Sequence, residues 1–356
     1  MTFLPRMDGT AAQASEGASS RRTEVCLTVD VEFSIAGALT YPDRYQPVSD
    51  APVYGAVGGR EQGLGFLLDC LGDHGLTASF FVECLNVAYF GDRPMGEVVA
   101  RLLAARQDVQ MHLHPEWTYF RDPRWRQTVA TMLPRPNGSC AGRSVDELVG
   151  FMRLGRETLE RWGAPPPIAL RTGSFHVDRR VYRAMAAVGL RLASNVGLAM
   201  YRSADPELRL HGGLHWIDGV LEAPVLTYTE RVGGWHRPRL LSPLSASWSE
   251  TRALLWAARR TGLSPIVMIT HPFEFIKSSD LQFSRITRNR LVQRRFAALC
   301  RFLAEHEDEF VTVPLGGIGR AWLAGGAVAE PALAAPPLAV MGRMIANQLA
   351  DRVWAF

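Results

Sequence analysis

The 356-residue sequence predicts an α/β fold built on a parallel sheet or barrel, and three observations carry that expectation. Short apolar runs of β-type residues alternate with segments of helical spacing. Polar and titratable residues recur where those apolar runs end, from Asp30 to His271. The length suits one large α/β barrel or two ordinary domains, with enough chain to bury a sizeable core.

The first run, 24–30, ends in Asp30 and then Glu32, as a buried parallel strand does when it delivers side chains to a barrel mouth. A Pro/Gly-rich loop over 41–59 leads to a helix over 63–74, where Leu64, Leu67, Leu68 and Leu71 share a face and Gly75 stops the turn. A strand over 77–82, a helix over 95–105 and a strand over 108–112 follow. Residues 119–143 show no clear period and several Pro and Gly, which predicts a loop insertion beside a substrate. The alternation then resumes: helix 145–162, strand 169–171, helix 179–188, strand 192–195 and two short strands within 212–227. Helix 248–261, a strand over 266–270 that ends at His271, helix 289–305 and a last strand over 310–314 complete it.

The net charge of +4 is mild, and the basic residues are spread along the chain, with Lys277 the single lysine. No clustered basic face marks a nucleic-acid partner. Five widely spaced cysteines form no CxxC pair and no disulfide framework, as expected of a reducing compartment. Residues 1–22 are rich in Ala, Ser, Gly and Thr without the apolar centre of a signal peptide, so a disordered lead-in and a cytoplasmic protein are expected. No uncharged apolar run approaches the roughly 20 residues of a membrane helix. The main domain is expected over 23–322. An Ala/Pro-rich linker and a short amphipathic helix, with Ile345, Leu349, Val353 and Trp354 apolar, should fill 323–356. That helix can cap the fold, pair with a second copy in a homo-oligomer or touch a membrane surface, capping being the commonest outcome.

His112 and His114 sit at i and i+2 at the end of a strand, so both rings fall on one side of the pleat. In a parallel barrel the strand ends share one face, which would bring Asp30, Glu32, His112, His114, Arg171, Asn195 and His271 to one mouth. A carboxylate and two imidazoles make a protein ligand set for a hydrolytic divalent metal, with positions open for water and substrate. A second carboxylate would then serve as base and a further histidine as acid.

Five stretches occur in the order found in the NodB-homology polysaccharide deacetylases, carbohydrate esterase family 4: Leu27 to Glu32, Thr77 to Val82, Val109 to Pro115, Leu170 to Phe175 and Met268 to Pro272. The sequence resembles that family over residues 24–320, and the His-x-His-Pro form is closest to its WalW-like subgroup. The resemblance implies a distorted (β/α)7-type barrel and metal-dependent hydrolysis of an N-acetyl group on an amino sugar, releasing acetate and a free amine. It makes Asp30 the general base, Arg171 the residue that orients it and His271 the acid that protonates the leaving amine. Val31 replaces the family's adjacent acidic ligand, which passes that role to Glu32. His112 matches the first histidine of the metal motif. The family's second histidine lies four residues on, where this chain has Glu116, so either His114 or Glu116 is the third ligand; His114 is preferred because imidazole suits zinc-type metals, Zn2+ first, then Co2+, Ni2+ or Mn2+. The family's carboxylate behind its acidic histidine is missing from Ser194-Asn195-Val196. An oxyanion-binding amide is expected near Phe33 or Thr172. Trp117, Phe175 and Trp235 are expected at a substrate rim, where aromatic rings stack on sugar faces. Two other readings remain: a metal-independent, allantoinase-like amidohydrolase, and a catalytically silent barrel that binds glycan or scaffolds a complex.

Overall fold

The computed structural model describes residues 22–134, 136–317 and 332–353. The expected lead-in lies outside the described residues except for Arg22, as do linker residues 324–331 and Trp354. The strands in chain order are β1 (Thr23–Val31), β2 (Ala56–Val57), β3 (Arg60–Glu61), β4 (Ser79–Glu83), β5 (Asp108–Leu113), β6 (Ala169–Thr172), β7 (Leu192–Ala193), β8 (His215–Ile217), β9 (Val220–Glu222), β10 (Thr227–Val232), β11 (Trp235–Leu240), β12 (Ile266–Thr270), β13 (Ile276–Ser278), β14 (Ile286–Arg288) and β15 (Phe310–Thr312).

The main sheet runs in the order β12-β1-β4-β5-β6-β7-β9-β8, with β15 added beside the start of β1. Its pairings are parallel except for the β8–β9 hairpin. The sheet is therefore mixed, and it curls into a half-barrel; a single parallel bridge from Val225 to Val267 links the chain beyond β9 to β12. Strands β1, β4 and β12 are buried along almost their whole lengths, which explains why their sequences read as continuous apolar runs rather than alternating ones. The helices close over the sheet with one apolar face each. In Arg93–Ala104 that face is Met95, Val98, Val99 and Leu102; in Val145–Arg161 it is Leu148, Met152, Gly155 and Leu159. Gly155 lets the helix lie directly on the sheet, because a Cβ there would stand 3.1 Å from Met111 and 3.2 Å from Leu113.

Three expectations change. Residues 119–143 are not a plain loop: a 3-10 turn, Pro115–Arg121, leads into a helix, Trp125–Thr131. Trp125 and Val129 are buried there, with Trp125 edge-on to Phe120, and seven residues are too few to show a helical period. The 41–59 loop contains a one-turn helix, Asp50–Tyr54, and strand β2, which pairs with β3 just beyond the loop. The antiparallel β10–β11 ribbon was not foreseen, because β11 is largely exposed and contains Pro238, features that argue against a strand.

The last helix, Pro337–Val353, returns to its own chain. Residues 333–335 first pair with β10 through Thr229. Arg343, 6% exposed, then bonds Glu250 at 3.0 Å and Glu230 of β10, while Arg295 reaches Asn347 at 2.6 Å. Glu250 begins the helix Trp248–Thr261 as the return arm of a capping box with Ser247. The helix thus caps the fold. Among the described residues no helix is long and apolar enough to cross a membrane.

Candidate active site

Sheet register assembles the site. Glu83 of β4 lies opposite His112 of β5, and His112 lies opposite Arg171 of β6. On the other side, Val29 opposite Thr270 brings the ends of β1 and β12 together and sets Asp30 beside His271. Side chains some 240 residues apart in sequence therefore meet at one end of the sheet, where parallel strands finish together.

Arg171 is fully buried and spends its donors on a fixed set of acceptors. Its Nη1 donates to Asp30 Oδ1 at 2.6 Å and to Thr28 Oγ1 at 2.9 Å; Nη2 and Nε donate to Ser194 Oγ and its carbonyl oxygen at 2.7 and 3.0 Å. The guanidinium also lies 4.3 Å over the Phe81 ring. Asp30 is held at one oxygen, and its Oδ2 faces His271 Nε2 at 3.8 Å.

Glu32 emerges two residues further on. Its Oε2 lies 2.8 Å from His114 Nε2 and 3.5 Å from His112 Nε2, and the three residues place donor atoms within 4.8 Å of one another. Each imidazole is oriented by its other nitrogen: His112 Nδ1 donates to the Arg171 carbonyl at 3.0 Å, and His114 Nδ1 to Glu116 Oε1 at 3.1 Å. Of the two residues left open, His114 lies in this cluster, while Glu116 stands behind it on the far nitrogen of the ring. Burial pulls the His114 imidazole down, but the Glu116 and Glu32 carboxylates push it well above its ordinary range. Burial raises Glu32 and the two imidazoles lower it, leaving it well below the usual carboxylate range. One carboxylate and two imidazoles with their Nε2 atoms turned inward suit a zinc-type divalent ion. Gly173 makes room for this cluster, since a Cβ there would fall 2.5 Å from the His114 ring.

Glu274 supplies what the Ser194–Val196 segment lacks. From the 3-10 turn Pro272–Phe275 it returns its carboxylate to His271, accepting from Nδ1 at 2.8 Å, and its second oxygen accepts from Thr270 Oγ1 at 2.7 Å. Burial lowers His271, but Glu274, with Asp30 and Glu32 adding to it, raises the imidazole to about 9. The sequence signal was His271-Pro272-Phe273-Glu274: proline starts the turn, and one 3-10 turn spans three residues.

A second carboxylate missed in the sequence is Glu83, fully buried at the end of β4. It accepts from the backbone N–H of His114 at 3.2 Å, Leu85 at 2.9 Å and Asn86 at 2.6 Å, so it pins the backbone that carries His114. Burial pushes it up to about 8, more than those hydrogen bonds and His114 pull it down.

These residues open onto a cavity of about 520 Å³. Asp30, Glu32, His112, His114 and His271 form its floor; Phe175, Met200 and Phe273 form one wall, and Arg237 to Leu240 of β11 another. Of the three expected rim aromatics, only Phe175 lines it. Trp117 is 1% exposed, packed between Phe90 and Phe120, because the 3-10 turn after His114 carries it into the core. Trp235 stands 83% exposed on the hairpin, outside the lining. The Thr172 amide is not free for an oxyanion either, since it donates to Asn195 Oδ1 at 2.9 Å.

No family model matches the sequence, and no curated protein matches it. Among solved structures, the chain is similar to a Mycobacterium smegmatis protein assigned as a polysaccharide deacetylase, at 17% identity and a TM-score of 0.49, covering 93% of this chain and 99% of that one. A family 4 carbohydrate esterase from Streptomyces lividans, in complex with acetate, matches at 12% identity and a TM-score of 0.42, covering 87% and 98%. A family 4 acetyl xylan esterase from Clostridium thermocellum, with a cobalt ion, matches at 12% identity and a TM-score of 0.39, covering 82% and 88%. At such identities and TM-scores the chemistry has to be argued from the site itself.

Proposed function

We propose that this chain is a metal-dependent hydrolase that removes the N-acetyl group from an amino sugar or glycoconjugate, on a distorted (β/α)7-type barrel. The observation that carries the reading is the meeting, in one cavity, of a held carboxylate, a Glu-His-His donor cluster and a histidine backed by its own carboxylate. Glu32, His112 and His114 would hold the divalent ion, Zn2+ or alternatively Co2+, Ni2+ or Mn2+, which when bound would polarise the acyl carbonyl and acidify water.

The chain's own groups account for the proton traffic. Arg171 fixes Asp30 so that Oδ2 points into the cavity, where it takes a proton from the attacking water. His271 presents Nε2 to the cavity, because Nδ1 is committed to Glu274. With its proton favoured by that carboxylate, it delivers the proton to the departing nitrogen as the C–N bond breaks. Acetate and a free amine result.

The test is elemental analysis of purified protein, wild type beside His112→Ala, with acetate release measured on acetylated amino sugars. About one metal per chain, lost together with activity in the variant, is expected. No metal in either protein after reconstitution would overturn the metal-dependent reading.

A further inference from the structure

The charges that line the cavity can be matched one by one. Asp30 is paired with Arg171 and faces His271; Glu32 faces both His112 and His114; Glu274 holds His271. On the β11 wall, Arg239 lies 3.0 Å from Glu230. Arg237, two residues earlier on the same strand and therefore on the same side of the ribbon, lines the cavity, and its side chain has no ion pair or hydrogen bond among the described residues.

The local sequence explains why it stays unpaired. Its cross-strand neighbour is Glu230, the natural partner for a cation in that position. That carboxylate is drawn away by Arg239 and by Arg343 of the last helix. An exposed cation at the rim of an otherwise charge-matched cavity is a position for a ligand anion, since guanidinium forks match phosphate and carboxylate geometry.

We infer that Arg237 is a substrate-binding residue that selects acetylated amino sugars carrying an anionic group, a phosphate or a carboxylate. The inference rests on the deacetylase reading for the sugar and on the unpaired guanidinium for the anion. Phosphate and carboxylate share the chemistry of an oxyanion that accepts two parallel N–H bonds.

The experiment measures binding and turnover separately. Calorimetry compares N-acetylglucosamine with its 1-phosphate, its 6-phosphate, the corresponding acetamido uronate and inorganic phosphate alone, on wild type, Arg237→Gln and Arg237→Lys; acetate release is followed on the same sugars. At least one charged sugar should bind the wild type roughly tenfold more tightly than the neutral one, the gain being lost in Arg237→Gln and largely kept in Arg237→Lys. Which charged sugar is preferred identifies phosphate or carboxylate. Equal binding of charged and neutral sugars by the wild type, or a preference that Arg237→Gln retains, overturns the inference. A charge preference without acetate release from any sugar would leave anion recognition standing and sink the deacetylase.

Discussion

The floor and the β11 wall of the cavity are built on opposite terms. On the floor, Asp30, His112 and Arg171 are buried, and each is locked by neighbours that the sheet register supplies. On the ribbon that carries the wall, Trp235, His236, Arg237 and Pro238 are exposed, and among the described residues their strand pairs only with β10. Groups that move protons need orientation to within a fraction of an ångström, which a parallel sheet provides. Groups that choose a substrate can sit on a ribbon that varies without disturbing the sheet.

This contrast can be broken most sharply at Arg171. Arg171→Met keeps the bulk but leaves Asp30 buried without its counter-ion. It should cost about 3–5 kcal/mol, read as a fall in the urea midpoint, and abolish acetate release. A variant of native stability would show that the floor is not locked as described.

A middle-sized effect is expected at Glu274. Glu274→Gln keeps a hydrogen bond to His271 while removing a negative charge. Loss of that anion destabilises the imidazolium, so its proton leaves at lower pH. The alkaline limb of the rate profile should therefore move down from the region near 9 toward the ordinary histidine range, and the rate above neutrality should fall roughly tenfold. An unmoved limb would mean that Glu274 only supports the turn. The smallest effect belongs to the tip of the ribbon. Trp235→Ala, at 83% exposure and outside the lining, should change stability by less than about 0.5 kcal/mol. A larger loss, in the same urea titration, would show that the hairpin tip packs against something in solution.

The same division explains what could be read from the sequence. Asp30, Glu32, His112, His114 and His271 announce themselves because buried strands have apolar sequences, and a titratable residue ending such a run stands out. The central strands and long helices were legible for the same reason of period and burial. Trp117 misled, because its position beside the histidines says nothing of the turn that buries it. Glu83 and Glu274 were silent because their roles come from a strand end and a turn folding a side chain back onto a neighbour. The β10–β11 ribbon was silent because its exposed strand carries proline and no alternation, the features of a loop.

The bonds of Arg343 bear on the order in which the parts are completed. Glu230 and Glu250 lie 113 and 93 residues before it, and both wait for that one guanidinium. During synthesis the floor strands, complete by residue 270, emerge well before their last brace, because chains leave the ribosome N-terminus first. Until residue 343 emerges, the Glu230 carboxylate is drawn away from Arg237 by Arg239 alone. On the proposed reading, the groups that move protons are thus in place before the ribbon that carries Arg237 receives its last brace.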